Sequence, residues 1–202
     1  MRVRRAFDLV GAVGGLLFFG PLMTCVALAI LLDDGRPVFF RQWRLGRCRR
    51  PFEIVKFRTM RDGVVTRVGR RLRDTGLDEL PQFFNILRGD LSAVGPRPVT
   101  REDAWRFGWL DPRADARWRV KPGLTGLAQL ASRSPRESLL LDRCYVRRRS
   151  LAFDCRIIAM SFVVNVLGKS RARRLLFEAP AARARQRSCR VRASRGWGPG
   201  EH

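Results

Sequence analysis

A chain of 202 residues is long enough for one domain with its own core. Its formal charge of +23 comes from 41 basic residues, all arginine except Lys56, Lys121 and Lys169, set against 18 acidic ones, and suits an anionic partner: a phosphorylated substrate, an acidic membrane surface or nucleic acid. His202 is the only histidine and the cysteines at 25, 48, 144, 155 and 189 show no Cys-x-x-Cys spacing, which excludes Ser-His and Cys-His catalysis and the common zinc patterns and fits a reducing compartment.

Residues 9–32 form a run of 24 uncharged residues, enough at ~1.5 Å per residue to cross a bilayer of about 30 Å. The run is too long for a signal peptide and lacks a small-residue cleavage site before Asp33, so it is expected to stay in the mature protein. Pro21 has 12 residues of the run before it and 11 after it, so a sharp bend there gives two arms of roughly 17 Å, each about half the bilayer depth. Arginines flank both ends, and neither side has the charge bias of a translocated one. The residues alone leave a span and a re-entrant passage both open. Gly11 and Gly15 have the spacing of a helix-packing face.

Residues 37–43 and 51–58 read as a short hairpin turning through Gly46, Arg47, Arg49 and Arg50, with Arg41, Arg44, Lys56 and Arg58 among its cations. Residues 73–98 carry the densest chemistry. Pro81 is tolerated only in a first helical turn, which predicts a helix over 82–88 whose start lies at 78–80 and which Gly89 ends. Asp78 and Glu79 then sit at a helix N-terminus. Acids there are ordinarily caps; two adjacent carboxylates also repel unless a cation intervenes, which suits a hard ion such as Mg2+ and phosphate chemistry. In Gly95-Pro96-Arg97-Pro98 the prolines stiffen the backbone and present the Arg97 guanidinium with little entropy left to lose on binding a planar anion.

Residues 99–118 interleave arginines with Trp105, Trp109 and Trp118, a pattern shared by core packing, membrane interfaces and nucleic-acid surfaces. Lys121-Pro122-Gly123 predicts a turn, with Arg133 further on. Residues 151–167 are apolar but hold Asp154, Arg156 and Asn165, which predicts a buried or interface-lying helix rather than a second span. Residues 169–202 are basic and without periodicity, expected to be disordered, and able to reinforce binding to anionic lipid.

Several blocks carry a resemblance: Pro37-Val38-Phe39-Phe40-Arg41-Gln42 with Arg44-Leu45-Gly46-Arg47, Lys56-Phe57-Arg58-Thr59-Met60, Leu77-Asp78-Glu79-Leu80-Pro81-Gln82, Ser92 to Pro98, Lys121 to Gln129, and Asp142 to Tyr145. In this order the chain resembles the bacterial sugar transferase family, the small monotopic phosphoglycosyl transferases that act on polyprenyl phosphate. The resemblance implies a mainly α protein with a small β-hairpin and interface-lying amphipathic helices. It implies a re-entrant membrane helix over 1–36 and a catalytic domain over 37–168 on the cytoplasmic face of the bacterial inner membrane. It implies transfer of a sugar 1-phosphate from a UDP-sugar to polyprenyl (undecaprenyl) phosphate. Asp78 would be the nucleophile, Glu79 the Mg2+ ligand, and Arg97, Arg73, Lys56 and Arg133 the substrate contacts. Two other classes fit the composition: a membrane-tethered nucleic-acid binder, and a noncatalytic scaffold of an envelope-polymer complex. An acidic pair inside a basic surface speaks against nucleic acid as the partner. The sugar, the polymer and the oligomeric state are not legible.

Overall fold

The computed structural model describes residues 2–132 and 134–167. Arg133 and the basic tail lie outside them. Among the described residues the architecture is mainly helical, with three two-stranded sheets.

Helix α1 (Arg2–Asp34) is helical throughout, Pro21 included. Its buried residues Asp8, Ala12, Met23, Val26 and Ile30 recur at helical spacing and form one stripe. That stripe meets the rest of the chain along its whole length. Ala12 packs with Phe52, Ile54, Ile86 and Leu91; Met23, Val26 and Ile30 pack with Phe57 and Leu72. Gly15 seats Phe83, so the Gly11/Gly15 spacing serves packing within the chain at its second member. The opposite face leaves Val10, Leu17, Phe18, Leu28 and Leu32 exposed.

The predicted hairpin is present as β1 (Phe39–Leu45) antiparallel to β2 (Pro51–Phe57), with Arg41 opposite Val55 and Phe40 opposite Lys56. The segment after it closes as a second, shorter hairpin, β3 (Met60–Arg61) with β4 (Val64–Val65). Helix α2 (Arg67–Thr75) starts at Thr66, whose hydroxyl accepts from the Gly69 N–H at 2.9 Å, a regular N-cap. It ends at Gly76, held at φ +73°, a conformation that glycine adopts at least cost.

Helix α3 covers Gln82–Arg88 and stops at Gly89, as predicted. Its start corrects the sequence reading, because Asp78 and Glu79 do not lie in its first turn. They lie on a separate 3-10 turn, Leu77–Glu79, between Gly76 and the helix. The reversal at Gly76 breaks the helical phase, and Pro81, without an N–H, takes the position just before α3.

The segment expected as a turn at 121–123 runs on into a strand. Ser92–Val94 (β5) pairs in parallel with Gly123–Thr125 (β6), a non-local pairing that begins within the segment read as a turn. A Cβ on Gly123 would stand 2.0 Å from the Gly95 nitrogen, so glycine is required where the first residue of β6 meets the chain leaving β5. Between them, α4 (Arg101–Arg106) and α5 (Asp115–Trp118) build a small core around Trp109 and Trp118, while Trp105 is exposed. The chain continues through α6 (Leu127–Ala131), α7 (Pro135–Arg148) and α8 (Leu151–Leu167). Helices α7 and α8 meet β5 through Tyr145, whose hydroxyl shares its one proton between the Val94 carbonyl at 3.0 Å and Asp154 Oδ1 at 2.9 Å.

Candidate active site

One residue fixes α3, the helix that follows the Asp78-Glu79 dyad, to the hairpin. Asn85 on α3 is 0% exposed; its Oδ1 accepts the Val55 N–H at 3.0 Å and its Nδ2 donates to the Glu53 carbonyl at 2.7 Å. This amide takes up two β2 main-chain groups that lie toward α3, and thereby sets the height of α3 against the hairpin. From the other end, Arg5 of α1 donates to the Ile86 and Leu87 carbonyls at 2.5 and 2.7 Å, covering carbonyls left open at the C-terminus of α3.

With α3 so placed, Lys56 of β2 meets Glu79: Nζ to Oε1 is 2.5 Å, with both side chains partly buried. Asp78 is its sequence neighbour. Burial raises the Asp78 pKa, the Glu79 charge raises it further, and Lys56, the residue's own backbone N–H and Arg73 act in the opposite sense. Arg73 reaches this neighbourhood because Gly76 turns the chain back; its Nε donates to Thr59 Oγ1 at 2.8 Å.

Arg97 is exposed between buried Pro96 and Pro98. Its loop is held from behind: the Gly123 N–H donates to the Pro96 carbonyl at 2.9 Å, and Arg117 Nη2 donates to the Arg97 carbonyl at 2.7 Å. Arg117 and its partner Asp142 are 1% and 3% exposed, with Nη1 and Oδ2 3.6 Å apart. The guanidinium lies over Trp109 at 3.8 Å and near Trp118 at 5.0 Å. Burial lowers the Arg117 pKa to about 10, the Asp142 charge opposing, and burial raises Asp142 to about 6 against the pull of Arg117. Burial moves each group toward its neutral form, so this pair is a costly one, retained for what it holds.

Sequence reasoning missed Arg117 and the roles of Asp142 and Arg44. Arg44 is half-buried on β1; its pKa is lowered by burial and by the nearby Arg97 charge, while Asp103, Glu102 and Glu79 act against this. Its Nε is buried with no hydrogen-bond partner among the described residues. An arginine that feels both Arg97 and Glu79 links the two halves of the site. The structure thus gathers Asp78, Glu79, Lys56 and Arg73 on one side and Arg44 and Arg97 on the other.

The residues present fit a hard divalent cation. No group of three acidic, histidine or cysteine ligands occurs among the described residues, so a site must rest on the dyad alone. An ion such as Mg2+ often takes one or two carboxylates and completes its shell with water and substrate phosphate. Lys56 occupies Glu79 Oε1, which leaves Oε2 for such a role.

Fold and site together define a class: a helical protein with, among the described residues, one helix long and apolar enough to cross a membrane, carrying a carboxylate pair set among cations that suits phosphate chemistry. The chain belongs to the bacterial sugar transferase family, whose model matches residues 1–168. It is similar to the undecaprenyl-phosphate glucose phosphotransferase of Komagataeibacter xylinus, at 40% identity over 84% of this chain and 37% of that protein. It is similar also to the UDP-glucose:undecaprenyl-phosphate glucose-1-phosphate transferases of Caulobacter vibrioides (39% identity; 77% and 66%) and Escherichia coli K12 (36%; 83% and 41%). The chain therefore spans from 37% to 66% of the length of these relatives.

Proposed function

We propose that this protein transfers a sugar 1-phosphate from a UDP-sugar to undecaprenyl phosphate, the first membrane step in building an exopolysaccharide or glycoconjugate. The observation that carries the reading is Asp78, partly buried beside Glu79, which Lys56 holds at 2.5 Å. Asp78 is half-buried, next to a partner carboxylate, and near the Lys56 and Arg73 charges that attract a diphosphate.

In the first step an Asp78 carboxylate oxygen attacks the sugar-linked phosphorus. A P–O bond to Asp78 forms, and the bond to the bridging oxygen breaks, its electron pair leaving on UMP. In the second step an oxygen of the lipid phosphate attacks the same phosphorus, forming the polyprenyl diphosphate sugar and returning Asp78 as a carboxylate. Two steps let two anionic substrates use the site in turn. When bound, Mg2+ would neutralise charge on the diphosphate and improve the leaving group. Glu79 is the residue to hold it, and Lys56 orients Glu79. Arg97, Arg73 and Arg44 bind phosphate oxygens. Arg133 is a further candidate contact.

The site sits beside the apolar helix because one substrate is soluble and the other carries its phosphate at headgroup level. Support for α1 entering and leaving one face comes from its two ends. Arg4 pairs with Asp154 at 2.5 Å and Asp34 with Arg58 at 2.7 Å, so both ends bond to one polar body. Were α1 to cross the bilayer, it would carry one of these ion pairs through the hydrocarbon, at high cost. Thr24 Oγ1 donates to the Gly20 carbonyl at 3.1 Å beside Pro21, and such back-bonding often bends a helix. Exposed Trp105, Leu140 and Phe162 suit helices lying at the interface, on the cytoplasmic side of the inner membrane.

The test is release of UMP by detergent-solubilised protein given undecaprenyl phosphate, Mg2+ and a panel of UDP-sugars beginning with UDP-glucose, alongside Asp78→Asn. Turnover by the variant equal to that of the parent overturns the covalent role.

A further inference from the structure

Residue 59 is where three parts of the next helix come to rest. Thr59 follows β2 and is buried, 7% exposed. The short hairpin of β3 and β4 turns the chain back at once, so that the Thr66 N–H, at the start of α2, donates to the Thr59 carbonyl at 3.1 Å. A Cβ on Gly69 would stand 2.2 Å from that same carbonyl oxygen, which measures how closely α2 lies on residue 59. Arg73 is four positions past Gly69, so it lies on the same face of α2 one turn further on. Its Nε donates to the Thr59 hydroxyl at 2.8 Å. The chain from 59 to 73 is thus a closed unit, with the hydroxyl at one end holding the guanidinium at the other.

A guanidinium carries its N–H donors in one plane and offers an anion two forks, one from Nε with an Nη and one from the two Nη groups. Thr59 occupies Nε, which closes the first fork. Among the described residues Nη1 and Nη2 of Arg73 have no partner, so the second fork is free. Arg73 also stands close to the dyad without touching it. Burial first and the Glu79 charge second raise the Asp78 pKa, and Arg73 is among the charges that oppose them, so its charge is felt at Asp78. Yet among the described residues it forms no ion pair with Asp78 or Glu79, whereas Lys56 meets Glu79 at 2.5 Å. The interval between Arg73 and Asp78 is therefore open to the oxygens of a phosphate. Arg73 is exposed, and an unrestrained exposed arginine loses much rotamer freedom when it binds. A guanidinium already pinned at Nε loses less.

We propose that Thr59 is a positioning residue of the site: its hydroxyl fixes the plane of the Arg73 guanidinium and aims the two Nη groups at a phosphate standing against Asp78. The inference rests on the dyad as the phosphate site, and its test does not require turnover. Binding of inorganic diphosphate in the presence of Mg2+ to the full detergent-solubilised chain is measured by calorimetry for the parent, Thr59→Val, Thr59→Ser, Arg73→Ala and the Thr59→Val/Arg73→Ala double variant. Thr59→Val keeps the shape and removes the acceptor, and should weaken diphosphate by roughly 2- to 13-fold, the equilibrium equivalent of freeing one long side chain. Thr59→Ser keeps the acceptor and should recover most of the loss. In the Arg73→Ala background Thr59→Val should have no further effect, because its partner is gone. Thr75→Val serves as the local control: the Thr75 hydroxyl bonds the Arg71 carbonyl at 2.8 Å within α2, and its loss should leave diphosphate affinity unchanged. A Thr59→Val loss that persists in the Arg73→Ala background, an equal loss in Thr75→Val, parental affinity in Thr59→Val or in Arg73→Ala, or no diphosphate binding by the parent overturns the positioning role. If Asp78→Asn still turns over while the Thr59 effect vanishes with Arg73, the positioning role stands and the covalent reading falls.

Discussion

Arg117 Nη2 donates to the main-chain carbonyl of Arg97 at 2.7 Å, so the exposed guanidinium of the site is positioned by a buried one. Arg117 touches no substrate in this arrangement; it fixes the loop from which Arg97 projects. Arg117→Met alone strands Asp142 as an unpaired buried carboxyl and should cost about 3–5 kcal/mol in a denaturant titration. Arg117→Met with Asp142→Leu removes both charges and should restore most of that stability. If positioning is the role, the double variant still shows a raised KM for the nucleotide sugar with a smaller change in kcat. A double variant with parental KM assigns the pair to stability alone.

The same pair predicts a pH dependence. Burial raises Asp142 to about 6, with Arg117 opposing. Below that pH Asp142 is protonated, Arg117 loses its counter-charge, and the Arg97 loop loosens. The KM for the donor should therefore rise as pH falls through about 6 and level off above it. Asp142→Asn should raise KM and remove that inflection, since it holds the neutral form at every pH. Steady-state KM measured from pH 5 to 8 in both proteins, about one unit below the transition and about two above it, checks this.

For Asp78 the sign is set by chemistry rather than by stability. The nucleophile must be ionised, and burial followed by the Glu79 charge lifts its pKa above the usual carboxylate range. The acid limb of kcat should then lie higher than that of an exposed aspartate. Lys56 works against the rise, so Lys56→Met should move the limb to higher pH as well as lower the plateau. A kcat profile whose acid limb is identical in parent and Lys56→Met would remove Lys56 from the electrostatics of the nucleophile.

What the sequence made legible was local. Pro81 and Gly89 bracket α3, alternation around Gly46 marks the hairpin, and the Asp78-Glu79 pair and the clamped Arg97 stand out in a short window. What escaped it was non-local. Arg117 is one arginine in a chain that has 41 basic residues, and its pairing with Asp142 spans 25 positions, so no spacing rule singles it out. The parallel β5–β6 pair is equally invisible, because each strand is three residues long and its partner lies beyond two helices. The 3-10 turn at Leu77–Glu79 was masked by Pro81, which signals a first helical turn but not which residues precede it.

Asn85 ties α3, the helix that follows the dyad, to the strand of Lys56, and its loss should be felt in both stability and rate. Asn85→Ala leaves the Val55 N–H and the Glu53 carbonyl without their side-chain partner. Stranding two buried groups should cost about 2–5 kcal/mol in a denaturant titration. At temperatures where the variant is folded, kcat should fall more than affinity for UDP, because the displaced distance is that between Glu79 and Lys56. A variant less stable by that amount yet with parental kcat would show that α3 keeps its height without the amide.

The course of α1 is tested by labelling from each side of sealed vesicles. Both ends of the helix bond to one body, through Arg4–Asp154 and Arg58–Asp34, and a buried stripe runs between them. A cysteine placed by Arg2→Cys and the native Cys48, which is exposed beyond β1, should therefore react with an impermeant maleimide from the same side. Cys25, exposed on the apolar helix four residues past Pro21, should react from neither side while lipid covers it. If residue 2 and Cys48 label from opposite sides, α1 crosses the bilayer. The ion pair at one end would then have to open in the membrane-inserted protein. Breaking Arg4–Asp154 by Asp154→Asn discriminates further, because on a one-face path the variant keeps its labelling pattern and loses only stability.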